Sequence, residues 1–299
     1  MSKQHKAIDK FDLVTEQLIK LLEQGVKPWE KGWNVAGIPF QNLITKHQYS
    51  GVNPILCQIS TMSLGYFSPY FIGMNQAKTF KWNVKKGSKS TWIKYAATAS
   101  SESENEDGET VTNSYGFTKW MNVFNLDCID DSKSERKLSD FIVQAPQFTN
   151  PDPRILTAEQ FINSLGIDIQ YGGDRACYSP NLDRIQMPKF DRFDDAESYY
   201  STILHELVHA TGHPKRLNRE MSQDKIKYAF EELVAEIGAA FLKQEFVELE
   251  NGSLENHASY LDSWLSLLKS DNKAFFKAAS LSNKASKYLL DLSTQNITH

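Results

Sequence analysis

The chain has 299 residues, 40% of them apolar and 23% charged, enough to bury the cores of two domains. No apolar stretch is long enough to span a bilayer, and the polar N-terminus has no apolar run behind it that would make a secretion signal, which points to a cytoplasmic protein. Cys57, Cys128 and Cys177 lie far apart, which argues against a disulfide framework or a cysteine zinc knuckle. The net charge of −4 divides into +8 over residues 1–96 and −12 beyond, as in a basic nucleic-acid-binding module joined to an acidic body.

Taken in chain order, Phe11, Val14, Leu18 and Leu21 fall at helical spacing, so a helix is expected from about Asp9 to Gln24, stopped by Gly25. From Trp29 the text changes to short runs punctuated by Gly, Pro and Asn. Tyr70-Phe71-Ile72 and Thr91 to Tyr95 read as strands, with a helix around Pro54 to Ser63. Residues 99–113, with an acidic run from Glu102 to Glu109, read as a flexible loop. The apolar run Gly116 to Ile129 is expected to return as a strand to the same sheet. The polar stretch after it, with Pro146, Pro151 and Pro153, reads as a linker.

Beyond the linker a helix is expected over Thr157 to Leu165. Strands follow at Ile167–Tyr171, Ala176–Tyr178 and Arg184–Met187. Helices then run to the end, at about Asp195–Thr211, Asp224–Phe246, Asn256–Lys269, Asp271–Ala279 and Ser282–Leu292. The pattern predicts an α+β fold: a small mixed N-terminal domain (1–130), a linker (131–153) and a C-terminal domain (154–299) that sets a short sheet beside a metal-site helix.

The chemistry sits in that last domain. His205 and His209 are one helical turn apart in the pattern H-E-x-x-H, so both imidazoles can meet one ion, and Glu206 stands next to it without having to bind it. Such a site needs a third protein ligand and an open place for water. Glu231, Glu232 and Glu236 lie on a later apolar helix, where buried carboxylates are costly unless they meet a metal or a hydrogen-bond partner. Glu232 is read as the third ligand and Glu236 as the acceptor that orients a ligand histidine. His213 competes for the third place, but Gly212 is expected to break the helix before it. The metal expected is zinc, with manganese or another divalent ion as alternatives. The chemistry is amide hydrolysis with Glu206 moving the proton, and either Tyr178 or Tyr228 steadying the oxyanion.

In the first domain Trp29, Trp33, Trp82 and Trp92 are interleaved with Lys81, Lys85, Lys86 and Lys89. Rings that stack on bases and cations that follow phosphates suit single-stranded nucleic acid.

Several segments also carry a resemblance. Residues 14–29 (through Pro28-Trp29), Tyr49-Ser-Gly-Val-Asn53, Gly65 to Tyr70, Val84-Lys-Lys-Gly-Ser-Lys89 and Val123-Phe-Asn125 resemble the N-terminal domain of ArdC-type antirestriction proteins. The blocks 205–219 and 231–242 are similar to the zincin-like metallopeptidase domain that follows it in that family. The resemblance implies a protein of plasmids and conjugation that binds single-stranded DNA and protects incoming DNA from restriction. It carries the family's metal ligands onto His205, His209 and Glu232 and its catalytic glutamate onto Glu206. An active metalloprotease acting on DNA-bound proteins, or a binding module whose metal is structural, are the alternatives. The acidic run is a departure that is not expected to touch DNA.

Overall fold

The computed structural model describes residues 9–29, 34, 35, 38–104, 110–143, 155–222, 224–246 and 260–297. The first half holds α1 (Lys10–Glu23), β1 (Asn34–Val35), β2 (Ile38–Pro39), β3 (Gln41–Asn42), α2 (Asn53–Leu64), β4 (Tyr70–Gly73), α3 (Met74–Thr79), β5 (Asn83–Val84), β6 (Thr91–Glu104), β7 (Thr110–Asn125) and β8 (Ile129–Asp130). The second holds α4 (Leu156–Ser164), β9 (Asp168–Tyr171), β10 (Cys177–Ser179), β11 (Arg184–Met187), α5 (Ala196–Ala210), α6 (Lys225–Lys243), α7 (Leu261–Ser270) and α8 (Ala274–Ile297). The fold is α+β, as the pattern predicts.

The chain forms two units, one of residues 40–143 and one that joins residues 1–39 to 144–299. The division differs from the sequence-based one at both ends. Helix α1 forms where expected, with the Asp9 side chain capping it by accepting from Phe11 N at 2.9 Å. Yet it belongs with the C-terminal residues. Phe11 packs edge-on against Phe276 at 4.7 Å, and Thr15 Oγ1 donates to Asn272 O at 2.8 Å. Amphipathic spacing announces that a helix has a buried face but not which core receives it.

In the 40–143 unit the sheet order is β3-β4-β7-β6, parallel between β3 and β4 and antiparallel elsewhere. Helix α2 lies beside β6, and the Asn53 amide both donates to Lys94 O (3.0 Å) and accepts from Lys94 N (2.7 Å), taking the place of a neighbouring strand. The loop expected over 99–113 is instead the far part of a long hairpin: β6 and β7 pair from Thr91↔Val123 out to Glu104↔Thr110. Serine, threonine and valine are compatible with a ladder held by backbone hydrogen bonds, so low apolar content misleads there. Residues 105–109 of the acidic run lie outside the described residues. The expected linker also begins too early. Phe141 packs on Trp82 (5.5 Å, edge-on), and Tyr70 Oη meets Val143 N at 3.0 Å, so residues to 143 belong to this unit.

In the other unit the small sheet runs β10-β11-β9, with β10 on its edge. Helices α5, α6 and α8 form the core with Leu204, Leu207, Val208, Leu233, Ile237 and Phe275, each fully buried. The two helices expected from Asp271 onward are largely one, because Ser282 is not a cap. Its hydroxyl lies 2.8 Å from both Ala278 O and Val234 O, and Ser286 repeats the arrangement one turn on toward Gly238 O. Small hydroxyls that satisfy themselves on backbone carbonyls allow α8 to run unbroken against α6.

Candidate metal centre

Helix α5 starts at Asp195, whose carboxylate accepts from Ser198 N at 2.6 Å, and ends at Ala210, before Gly212 as expected. Its buried face includes Tyr199, Tyr200, Ile203, Leu204, Leu207 and Val208, which turns His205 and His209 toward α6. Helix α6 starts at Asp224, capped through Ile226 N and Lys227 N. The two helices approach closely at one point. A Cβ on Gly238 would stand 2.8 and 2.9 Å from the two Val208 methyls, so only glycine fits there. That approach sets the glutamates of α6 against the histidines of α5.

His205 Nε2 lies 3.1 Å from His209 Nε2, and the two Glu232 oxygens lie 3.3 Å from His205 Nε2 and 3.5 Å from His209 Nε2. An ion bound tetrahedrally at about 2.0–2.1 Å from its ligands separates them by roughly 3.3 Å. The three side chains therefore fit a divalent ion with a fourth position open, and they are the group among the described residues whose ligand atoms converge in this way.

The outer nitrogens are also held. His205 Nδ1 faces Glu236 Oε2 at 3.6 Å, and His209 Nδ1 faces Glu231 Oε1 at 3.2 Å. Glu236 thus faces the outer nitrogen of one histidine of the pair, at ion-pair rather than hydrogen-bond distance. Glu231 faces that of the other histidine, a role that sequence reasoning missed. Arg219 grips Glu231 with two nitrogens, at 3.0 and 2.6 Å, and donates to Val208 O at 2.8 Å. The one available signal was the excess of glutamates on an apolar helix.

Electrostatics follow from this crowding. Burial opposes charge on the imidazoles, but Glu232 and Glu236 lift His205 to about 9, and Glu231 and Glu232 lift His209 to about 10. Burial alone would raise Glu232, yet both histidines hold its carboxyl well below the ordinary range. Glu231 is lowered against its burial by His209 and Arg219. In the absence of an ion the cluster keeps its charges balanced by protons, and those protons must leave when a cation enters.

The site opens into a cleft of about 540 Å³ lined by Glu206, Cys177, Tyr178, Met221, Tyr228 and Tyr260, among others. His213 is not part of the cluster; its Nδ1 faces Asp183 at 3.5 Å. The Tyr178 hydroxyl donates to Asp183 at 2.9 Å and accepts from Arg216. Tyr228 is one turn before Glu232 on α6, with its hydroxyl 3.2 Å from that of Tyr260.

The aromatic candidates of the first half divide differently. Trp29 is 1% exposed and sits in the unit of the metal cluster, edge-on to Trp264 at 5.8 Å and stacked with Phe275 at 6.3 Å. Trp82 is 2% exposed, stacked on Phe80 at 4.7 Å, with Nε1 donating to Arg136 O at 2.8 Å. Neither ring is available to a base, which corrects both readings; large rings are the readiest way to fill a small core. Trp92 is half-buried, and Trp33 lies outside the described residues. Lys81, Lys85, Lys86 and Lys89 are all exposed. The exposed rings are others, Phe67 (79%), Tyr95 and Phe117. The backbone N–H groups of Phe67 and Ser68 donate to the Asp127 carboxylate, Lys85 Nζ donates to Asp127 O at 2.9 Å, and Tyr66 Oη donates to Lys89 O. Asp127 thus joins the Phe67 backbone to Lys85, and Tyr66 joins the same segment to the Lys89 backbone.

Two histidines on one helix, a glutamate on the next and the H-E-x-x-H carboxylate in the cleft define a zincin-like metallopeptidase domain, and the family model of that description matches residues 156–281. A model of the N-terminal domain of the anti-restriction factor ArdC matches residues 9–124. The chain belongs to the ArdC family of antirestriction proteins. It is similar to the solved antirestriction ArdC protein from the R388 plasmid, at 30% identity and a TM-score of 0.76 for the metal-free structure, covering 96% of this chain and 99% of that one. Against the Mn(II)-bound structure the values are 31% and 0.71, over 96% and 98% of the two chains. A Sinorhizobium fredii protein, y4eC, is 30% identical over 94% of this chain and 91% of its own length. An Escherichia coli DNA primase, TraC, is 31% identical over 95% of this chain, which spans only 27% of that protein. The Mn(II)-bound relative agrees with the fit of the three side chains to a divalent ion. Among the described residues no helix is long and apolar enough to cross a membrane.

Proposed function

We propose that this protein binds single-stranded DNA and protects DNA entering a cell on a mobile element from restriction, working in the cytoplasm with a zinc-type metallopeptidase centre. The observation that carries the chemical half is the convergence of His205, His209 and Glu232 at separations of 3.1 to 3.5 Å, with Glu206 beside them in an open cleft. A divalent ion bound there supplies a Lewis acid that acidifies water and polarises a carbonyl. Glu206 takes the proton of the attacking water and returns it to the leaving amide nitrogen. The Tyr228 hydroxyl, one turn from Glu232 and in contact with the Tyr260 hydroxyl, would donate to the carbonyl oxygen as that oxygen gains charge, whereas Tyr178 is tied to Asp183 and Arg216. Strand β10 is a sheet edge and lines the cleft, which suits an extended peptide added as a further strand.

The DNA half is supported by the exposed ring of Phe67, whose backbone and the Lys85 ammonium both bond to Asp127, and by the exposed Lys86 and Lys89 that follow in the chain. Binding of labelled single- and double-stranded oligonucleotides by anisotropy tests it, and equal affinity for both would remove the single-strand reading. The edge strand at the cleft favours a second reading, proteolysis of proteins bound to DNA. Protection against restriction in cells carrying Glu206→Gln separates the two: survival of protection makes hydrolysis dispensable, and its loss with metal and DNA binding intact makes the peptidase the active principle.

A further inference from the structure

Each ligand histidine is backed by a carboxylate, and each carboxylate by a cation. For His209 the cation is Arg219, a few residues further along the same part of the chain. For His205 it comes from the other end of the sequence. After α1, Gly25 takes a positive φ of 73° and Val26 N turns back to Leu21 O at 2.8 Å. The next residues run into the unit of the metal cluster. There Lys27 is 8% exposed, its Nζ 3.6 Å from Glu236 Oε1 and 5.8 Å from the centre of the Trp264 ring. Glu236 is completely buried, and its other oxygen faces His205 Nδ1 at 3.6 Å. Trp29, two residues on, is wedged between Trp264 and Phe275 and fixes the segment in place.

A carboxylate with no water around it needs a compensating cation. A metal-bound imidazole needs an acceptor on its second nitrogen to keep its ring and tautomer in place. Lys27, Glu236 and His205 stand in one line, 3.6 Å apart at each step, where the middle carboxylate can serve both needs. We propose that Lys27 is a positioning residue of the metal centre: its ammonium holds the Glu236 carboxylate as acceptor to His205 Nδ1, leaving His205 Nε2 directed at the ion. The inference rests on the reading of His205, His209 and Glu232 as ligands. It also means that the peptidase unit is completed by the sequence before the DNA-binding unit, outside the segment 156–281 that its family model spans.

The test uses the full chain and Zn(II) and Co(II) as probes. Lys27→Met should weaken Zn(II) binding, measured by competition with a chelator, by tenfold to a hundredfold, the usual effect of losing support behind a ligand. It should also alter the visible absorption of the Co(II)-loaded protein, which reports coordination geometry. Lys27→Arg, which keeps the charge, should restore most of the affinity and the spectrum. Glu236→Gln supplies the second arm, because a neutral amide no longer calls for a cation. Adding Lys27→Met to Glu236→Gln should then change Zn(II) affinity less than threefold, and this arm also serves if Lys27→Met alone folds poorly. An equal loss on both backgrounds, or no loss from Lys27→Met alone, overturns the proposal. A parent chain that binds no Zn(II), or binds it equally well as His205→Ala, sinks the ligand reading itself instead.

Discussion

Replacing Gly238 with alanine tests whether the close approach of α5 and α6 builds the metal centre. In an ordinary helix interior this change stabilises by about 1 kcal/mol, because glycine loses more chain entropy on folding. Here the new Cβ would meet the Val208 methyls at 2.8 and 2.9 Å. Val208 is fully buried, and a valine in a helix has essentially one side-chain rotamer, so it cannot turn aside. Its carbonyl is also tied to Arg219 and to the Thr211 hydroxyl, which resists a shift of α5. Overpacking of this kind costs about 1–3 kcal/mol. With a rigid neighbour the upper part of that range applies, for a net loss of about 1–2 kcal/mol. Because Glu232 and Glu236 ride on the same helix, separation of α6 from α5 should also weaken divalent-metal binding several-fold. Urea denaturation of the metal-free protein and a metal titration measure the two effects. Val208→Ala in the same chain removes both methyls, so the double variant should be more stable than the sum of the singles by at least about 1 kcal/mol. Stabilisation by Gly238→Ala, or strict additivity of the pair, would refute the reasoning.

Other outcomes follow from the same geometry. Glu206→Gln should leave metal affinity within a few-fold and abolish hydrolysis of any peptide substrate, read by mass spectrometry of the products; residual cleavage at the parent rate would exclude Glu206 as the proton carrier. With His205 and His209 raised to about 9 and about 10 in the metal-free protein, metal entry must displace protons, so affinity should climb between about pH 6 and about pH 9. The sign for stability is the opposite: pairing of the charged histidines with the glutamates stabilises the metal-free fold most below about pH 6.5 and is lost as pH rises through 9 and 10. Calorimetry in buffers of different ionisation enthalpy counts the protons, and none released would contradict both statements. On the proposed DNA surface, Lys85→Ala with Lys86→Ala should flatten the salt dependence by about 0.7 per lost phosphate contact. Phe67→Ala should cost about 1–3 kcal/mol of single-strand binding without loss of stability. Trp82→Ala should instead unfold the 40–143 unit by about 3–5 kcal/mol in thermal melts.

Local order along the chain was legible wherever period and punctuation spoke together. The helices around α1, α5 and α6, the strand Arg184–Met187 and the ligand spacing of His205 and His209 all follow from residues within a few turns of one another. So does the presence of glutamates whose burial demanded partners. Where periodicity was absent, as in the polar hairpin of β6 and β7, backbone pairing left no mark in the side chains. Where small serines imitated a cap, one helix read as two.

Only the folded chain decided which surfaces meet. Trp29 and Lys27 carry the same composition signal as the exposed lysines Lys81, Lys85, Lys86 and Lys89, yet they end in the core behind His205, and Trp82 ends in a core of its own. Glu231, Glu232 and Glu236 are nearly indistinguishable as text; in the fold Glu232 faces the inner nitrogens of both imidazoles, whereas Glu231 and Glu236 each face an outer one. The physical reason is that helix periodicity and ligand spacing are short-range properties written into neighbouring residues. The pairing of a buried carboxylate with a cation at the other end of the sequence exists only once the chain has closed on itself.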